Sequence, residues 1–225
     1  MNVRVISSCT NEKAVETADQ LTTHDFEKGH EHVMMREREL MKQMLPSEQM
    51  YTGQQHVRVM RGIQACAAKS RDMIVDLFIL SAGYGLIPGS RAIAPYNSTF
   101  QGMSPKCIAK LADQLDVPNA FRTVISAKFD LCLILLGADY LRACRLDSTI
   151  RLGGPTIAFC SGPSAAKYSA IEGLRTVRLP HSGSKNIWLK GEYASRLLRQ
   201  LSSGAVNPSA AMDPQFDLLA HLDGL

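Results

Sequence analysis

Asn97, Asp139 and His181 stand beside glycine, proline or aromatic residues in irregular segments and are of types that move protons or place water. Asp139 follows Gly137 by two residues and could act as a general base and electrostatic stabiliser. It could equally cap the helix that begins there. His181, in Pro180-His181-Ser182-Gly183, could donate to a departing group, or stand solvated in a turn. Asn97 could orient a water molecule. Flat side chains lie nearby in the chain: Tyr84 between Gly83 and Gly85, with Tyr96 and Phe100 on either side of Asn97. Two glycines around a tyrosine let the backbone turn sharply and lie close to a ligand. Ser8, in Ser7-Ser8-Cys9-Thr10, and Lys13 could hold an anion through backbone N–H groups and one ammonium. Gln55 and His56 open a helical pattern and could point into the same site, although a single histidine is more often a surface or capped residue.

These residues need a frame, and the hydrophobic pattern supplies one. Short apolar runs at Asn2–Ile6, Leu77–Leu80, Asp130–Leu136, Thr156–Cys160 and Thr176–Leu179 read as strands. Helical patterns separate them: Glu31–Leu45, Gln54–Arg71, a stretch capped by Ser104 with Pro105 at its first position, another from Pro118 to about Lys128, and one from Trp188 to about Leu201. On the second of these, Val57, Met60, Ile63 and Ala67 form the apolar stripe. Alternating strands and helices predict an α/β three-layer sandwich around a mostly parallel sheet of about five strands. In such a sheet the carboxyl ends share one edge, which would gather Ser8, Gly83, Tyr84, Asp139 and His181. Residues 1–202 read as a single α/β domain carrying the site, and 203–225 as a small-residue linker with a short C-terminal helix.

Composition narrows the partners. The six cysteines form no CxxC pair, so neither a zinc site nor any other metal or cofactor is expected. No apolar run reaches the length of a membrane span, and the first residues are strand-like, which predicts a cytoplasmic protein without a membrane partner. Between Tyr140 and Gln200 ten Lys/Arg stand against three Asp/Glu, an excess of +7 in a chain of +4 overall. That asymmetry fits a face that meets a polyanion, or a solvated surface of ordinary spacing.

Four motifs carry a resemblance when taken in order: SSCTNEK after the first strand, ILSAGYGLIP, APYNSTFQGM and LLGADYL. Together they resemble a bacterial and phage family similar to the peroxide-stress protein YaaA, over roughly residues 3–200. The resemblance implies a YaaA-like or uracil-DNA-glycosylase-like fold and a DNA partner. The resemblance also suggests a functional analogy to phage-defence DNA glycosylases of the Brig type, which remove glucosylated hydroxymethylcytosine from phage DNA. Excision of a modified pyrimidine would use Asn97, Asp139 and His181 in catalysis. Ser8, His56, Gly83, Tyr84, Gly85, Tyr96 and Phe100 would hold the extruded base, and Lys13, Arg178, Lys185 and Lys190 the DNA phosphates. The sequence departs from the family at Asn97, where relatives carry Asp or Glu, so the decisive carboxylate could be Asp139. Two other functions fit the same motifs: a nucleoside hydrolase or deoxyribosyltransferase acting on free nucleosides, and a non-catalytic DNA-binding protein.

Overall fold

The computed structural model describes residues 1–70, 72–160, 164–180 and 186–224. The fold is mixed α/β, built on a six-stranded, mostly parallel sheet. Its strands are β1 (Asn2–Ser8), β2 (Ile74–Ser81), β3 (Gly85–Pro88), β4 (Leu131–Ile134), β5 (Thr156–Cys160) and β6 (Leu174–Arg178). Their order across the sheet is β6-β5-β4-β1-β2-β3. The central strand, β1, pairs in parallel with β2 from Asn2–Ile74 to Ser8–Leu80, and with β4 from Val3–Leu131 to Ile6–Ile134. β4 and β5 are buried along their whole length, as continuous apolar runs in a two-sided sheet require.

The sixth strand is a correction to the expected five. Gly85–Pro88 folds back antiparallel on β2, pairing Ser81 with Gly85 and Phe78 with Pro88. The turn between them is tied by Ser81 Oγ, which accepts from the N–H groups of Gly83 (3.1 Å) and Tyr84 (3.0 Å). Gly85 sits at φ +71°, and a Cβ there would lie 2.7 Å from the carbonyl oxygen of Leu115. The glycines that suggested a ligand loop thus serve a tight hairpin packed against its neighbours.

Two helices matter for the site. α1 (Gln54–Lys69) connects β1 to β2, and α2 (Asn186–Ser202) follows β6. They make the most extensive helix–helix contact in the fold. Glycine allows that closeness. A Cβ at Gly191 would stand 2.3 Å from the carbonyl oxygen of Gln55, and one at Gly62 would stand 2.7 Å from Ser195 Cα. The buried side of α1 is accordingly Gln55, His56, Val59, Gly62 and Cys66. The expected stripe of Val57, Met60, Ile63 and Ala67 is only partly covered or exposed. Close packing selects small residues over the greasiest ones.

Residues 203–225 contain helices Pro208–Met212 and Leu218–Asp223, so the small-residue segment read as linker is itself partly helical. Ala211, Leu218 and Leu222 are buried. The Arg175 guanidinium donates to the carbonyls of Ala211 and Phe216, both at 2.6 Å, and Tyr193 Oη donates to Asp223 at 2.8 Å. Among the described residues no helix is long and apolar enough to cross a membrane.

Candidate functional site

After β1 the chain passes to β2 on one side, and later returns to place β4 on the other. Connections diverge at such a reversal and leave a crevice at the carboxyl ends of the two strands. A cavity of about 510 Å³ lies there. One wall is Ser8 to Glu12, the last residue of β1 and the loop that follows it. A second is Gly137 to Tyr140, directly after β4. The first turn of α1 brings Gln54 and Gln55, the loop after the hairpin brings Thr99 and Gln101, and α2 brings Trp188 and Lys190.

The floor is made where α1 and α2 reach the end of β4. Gln55 is 7% exposed, and its Nε2 donates to Ser7 Oγ at 3.0 Å and to the carbonyl of Leu135 at 3.2 Å. Lys190 is 6% exposed, and its Nζ donates to the carbonyl of the next residue, Leu136. No described carboxylate pairs with Lys190. Burial therefore pushes the ammonium down to about 8, a shift that nearby Cys160 opposes.

A hydrogen-bonded row crosses one wall. Cys9 Sγ lies 3.1 Å from Tyr140 Oη, and Tyr140 Oη lies 3.4 Å from Thr99 Oγ1. Burial, reinforced by Cys9, holds the Tyr140 phenol far above its ordinary range, so it remains protonated and able to donate. Asp139 lines the cavity from the first turn of the short helix Ala138–Ala143. Its side chain is 30% exposed and lies 3.5 Å from Arg142. Glu12 adds a second carboxylate. A Cβ on Gly53 would meet Glu12 Oε2 at 2.7 Å, which places that oxygen over the start of α1. The Arg58 guanidinium stands 4.5 Å over the ring of Trp188.

Of the residues expected from sequence, Ser8, Asp139 and Lys190 line the cavity. Lys190 does so as a buried ammonium rather than an exposed phosphate contact. The aromatic residues expected to stack on a base lie elsewhere. Tyr96 is fully buried, with Tyr51 Oη at 2.8 Å and Ser81 Oγ at 2.7 Å from its hydroxyl. Phe100 is fully buried with its ring edge-on to Tyr140. Tyr84 Oη accepts from the N–H of Ala94 at 3.1 Å, and its ring meets Phe26 and Tyr96. Gly83 makes room for Phe26, whose ring a Cβ would approach to 2.4 Å. This loop is therefore core, and neither Gly83 nor Gly85 approaches the cavity.

His56 turns away from the cavity, with its Nε2 2.8 Å from the carbonyl of Glu48, and burial lowers its pKa. Asn97 is exposed in a two-residue strand beside Leu21–Thr22 and does not line the cavity. Lys13 lays its ammonium 4.5 Å from the Tyr96 ring and donates to the carbonyls of Thr10 and Asn11. Arg178 is exposed at the end of edge strand β6, two strands and roughly 10 Å from β4. His181 and Lys185 lie outside the described residues.

Much of the basic excess of residues 140–200 is engaged within the fold. Arg142 pairs with Asp139, Arg145 with Asp113, and Arg196 with Glu192 and Asp223, while Arg175 caps carbonyls. The cavity residues without a role assigned from the sequence include Cys9, Thr99, Gln101, Tyr140 and Trp188, and Gln55 was placed there only in general terms. Their signal was available: Cys9 and Tyr140 sit inside strand-end motifs, and Trp188 is the chain's single tryptophan. The chain matches no protein-family model and none of the curated proteins.

Proposed function

We propose that the cavity holds a nucleoside unit and that the chain hydrolyses its N-glycosidic bond, acting as a DNA glycosylase on a modified pyrimidine. The observation that carries this reading is the half-buried carboxylate of Asp139 in a roomy cavity walled by Trp188 and Tyr140. A cavity of about 510 Å³ is of the size that encloses a small organic ligand, and leaves space for a base with a bulky substituent. Trp188 takes over the stacking role expected of Tyr84, Tyr96 and Phe100, while Tyr140, buried with its ring against Phe100, forms part of the wall. In the reaction, the C1′–N bond breaks toward an oxocarbenium-like sugar, and the base leaves with the bonding electron pair. Water adds to C1′, Asp139 accepts the proton that water gives up, and the departing base gains a proton from a cavity donor. A duplex substrate requires the nucleotide to be extruded first. The resemblance of the strand-end motifs to those of YaaA-like proteins is what favours a DNA substrate and a fold of that kind.

The test is incubation with unmodified and hypermodified phage DNA, with mass spectrometry of the released bases and alkali cleavage at abasic sites. Release of a modified base and alkali-labile strands are expected. Intact bases in every DNA overturn the reading.

A second reading, hydrolysis or transfer of free nucleosides, is favoured by one specific observation. Lys190 is the single Lys or Arg among the described residues that line the cavity, and it is buried. An enzyme on free nucleosides would release base from them and would show little salt-dependent affinity for DNA.

A further inference from the structure

We propose that Gln55 and Lys190 form a fixed acceptor–donor pair that reads the hydrogen-bonding edge of a neutral heterocycle, an N–H beside a C=O, as in a pyrimidine base. This inference rests on the nucleoside reading of the cavity and names the element that selects the base.

The orientation of the Gln55 amide is chemically forced. One of its partners, the carbonyl of Leu135, can only accept, so the atom facing it must be the NH2 group. The second amide hydrogen goes to Ser7 Oγ. Both donors are used, and Oε1 is left without a partner among the described residues of a side chain that is more than nine-tenths buried and lines the cavity. Oε1 is not among the fully buried atoms that lack a partner, so it reaches the cavity surface, where an acceptor held in place by two fixed donors favours a ligand N–H over a group without one.

Lys190 supplies the complement. It uses one of its three N–H donors on Leu136, the residue after Leu135, so the pair stands on consecutive carbonyls at the end of β4. Gly191 fixes their spacing, because its missing side chain lets α2 approach the backbone of Gln55. The remaining ammonium hydrogens suit a carbonyl oxygen or a ring nitrogen lone pair. A ligand edge carrying an N–H next to an acceptor satisfies both residues at once. A heterocycle with only acceptors on that edge leaves Gln55 Oε1 facing another lone pair.

Four probes test the pair: deoxyuridine, N3-methyldeoxyuridine, deoxycytidine and N4,N4-dimethyldeoxycytidine. Their dissociation constants are measured by ligand-observed NMR on the wild-type chain, Gln55→Met and Lys190→Met, each checked for folding by its melting temperature. On the wild type, methylation of at least one parent nucleoside is expected to weaken binding by about tenfold or more. In Gln55→Met the parent and its methylated form are expected to bind within about twofold of each other. Lys190→Met is expected to weaken all probes while preserving the discrimination. Equal binding of both members of each pair to the wild type, retained discrimination in Gln55→Met, or no binding of any probe overturns the inference. If Gln55→Met fails to fold, wild-type discrimination together with uniform weakening in Lys190→Met decides. Base release from phage DNA, measured in parallel on the wild type, reports on the functional reading alone, so the two failures are distinguishable.

Discussion

Two neighbouring regions at the carboxyl edge of one sheet have opposite characters. Over β2, the Ser81–Phe100 segment closes into a core of Tyr84, Tyr96 and Phe100, joined by Tyr51 and Phe26. Between β1 and β4, the edge stays open as a cavity lined by polar ends of helices and loops. Both regions are rich in glycine, hydroxyl and aromatic residues in the sequence. The difference comes from what arrives from elsewhere in the chain. Phe26, from the long segment between β1 and α1, fills the space beside Gly83. At the reversal of strand order the connections part, and the tips of α1 and α2 reach the strand ends with Gln55 and Lys190 without filling the space between the loops. A ligand-like composition marks where polar and flat side chains accumulate, and topology decides whether a void remains among them.

The contrast is most sharply broken by exchanging the chemistry on its two sides. Asp139→Ala is expected to reduce base release by ~10²–10⁴-fold with little change in melting temperature, because the side chain is partly exposed and its one ion pair is on the surface. Turnover on the responsive DNA, measured beside thermal unfolding, checks both halves. Phe100→Ala should do the reverse. Truncating this fully buried ring should cost ~3–5 kcal/mol of stability, read from denaturant midpoints. A smaller effect is expected of Tyr96→Phe, which removes one hydroxyl from the buried Tyr51–Tyr96–Ser81 group and leaves its partners underbonded. About 1–3 kcal/mol should be lost with ligand affinity unchanged. Least of all is expected of Asn97→Ala. Its exposed side chain lies outside the cavity, so stability should move by less than ~0.5 kcal/mol and turnover by less than about twofold. A large loss of turnover in that variant would return the site to the aromatic loop.

Acidity offers a further way to separate the regions, because Lys190 titrates within reach of ordinary assays. Its folded value, about 8, lies below its ordinary 10.5. Below about 8 both folded and unfolded chains hold the proton, and burial of the charge costs stability throughout. Between about 8 and 10.5 only the unfolded chain holds it, so rising pH favours the folded state across that window. Ligand affinity should move the other way, falling as the ammonium is lost above about 8. Opposed trends in melting temperature and affinity, both flattened in Lys190→Met, are the expected signature. Parallel trends would assign the pH dependence to another group.

The frame was readable from the sequence because burial on both faces leaves an unbroken apolar run. β4 was anticipated on that basis, β1 was legible as a strand although Arg4 interrupts its apolar run, and the Ser104–Pro105 helix start appears as its cap chemistry predicts. β3 was missed because a four-residue strand beginning at a glycine reads as turn. Within the site, Ser8 and Asp139 could be placed because one ends a strand and the other opens the helix shortly after one. Gln55 and Lys190 act through a junction of two helices distant in sequence, and a glycine at position 191 looks the same whether it breaks a helix or admits a neighbour. The misplacement of Lys190 has a plain cause: a lysine in a basic segment looks exposed until the helix carrying it docks against the sheet end.

The helix pair also governs when the cavity comes into being. β1 precedes the other strands of the sheet, yet one of its flanking strands, β4, follows more than 120 residues later, and the donor that completes the floor arrives later still, on α2. A nascent chain halted before α2 carries Gln55 with no Lys190 beside it, and the face of α1 that Gly191 would meet stays bare. Such late closure raises contact order, slows folding and leaves apolar surface exposed during synthesis. Affinity for the proposed ligand would then report that α2 has docked, since the floor lacks its ammonium until Lys190 is in place.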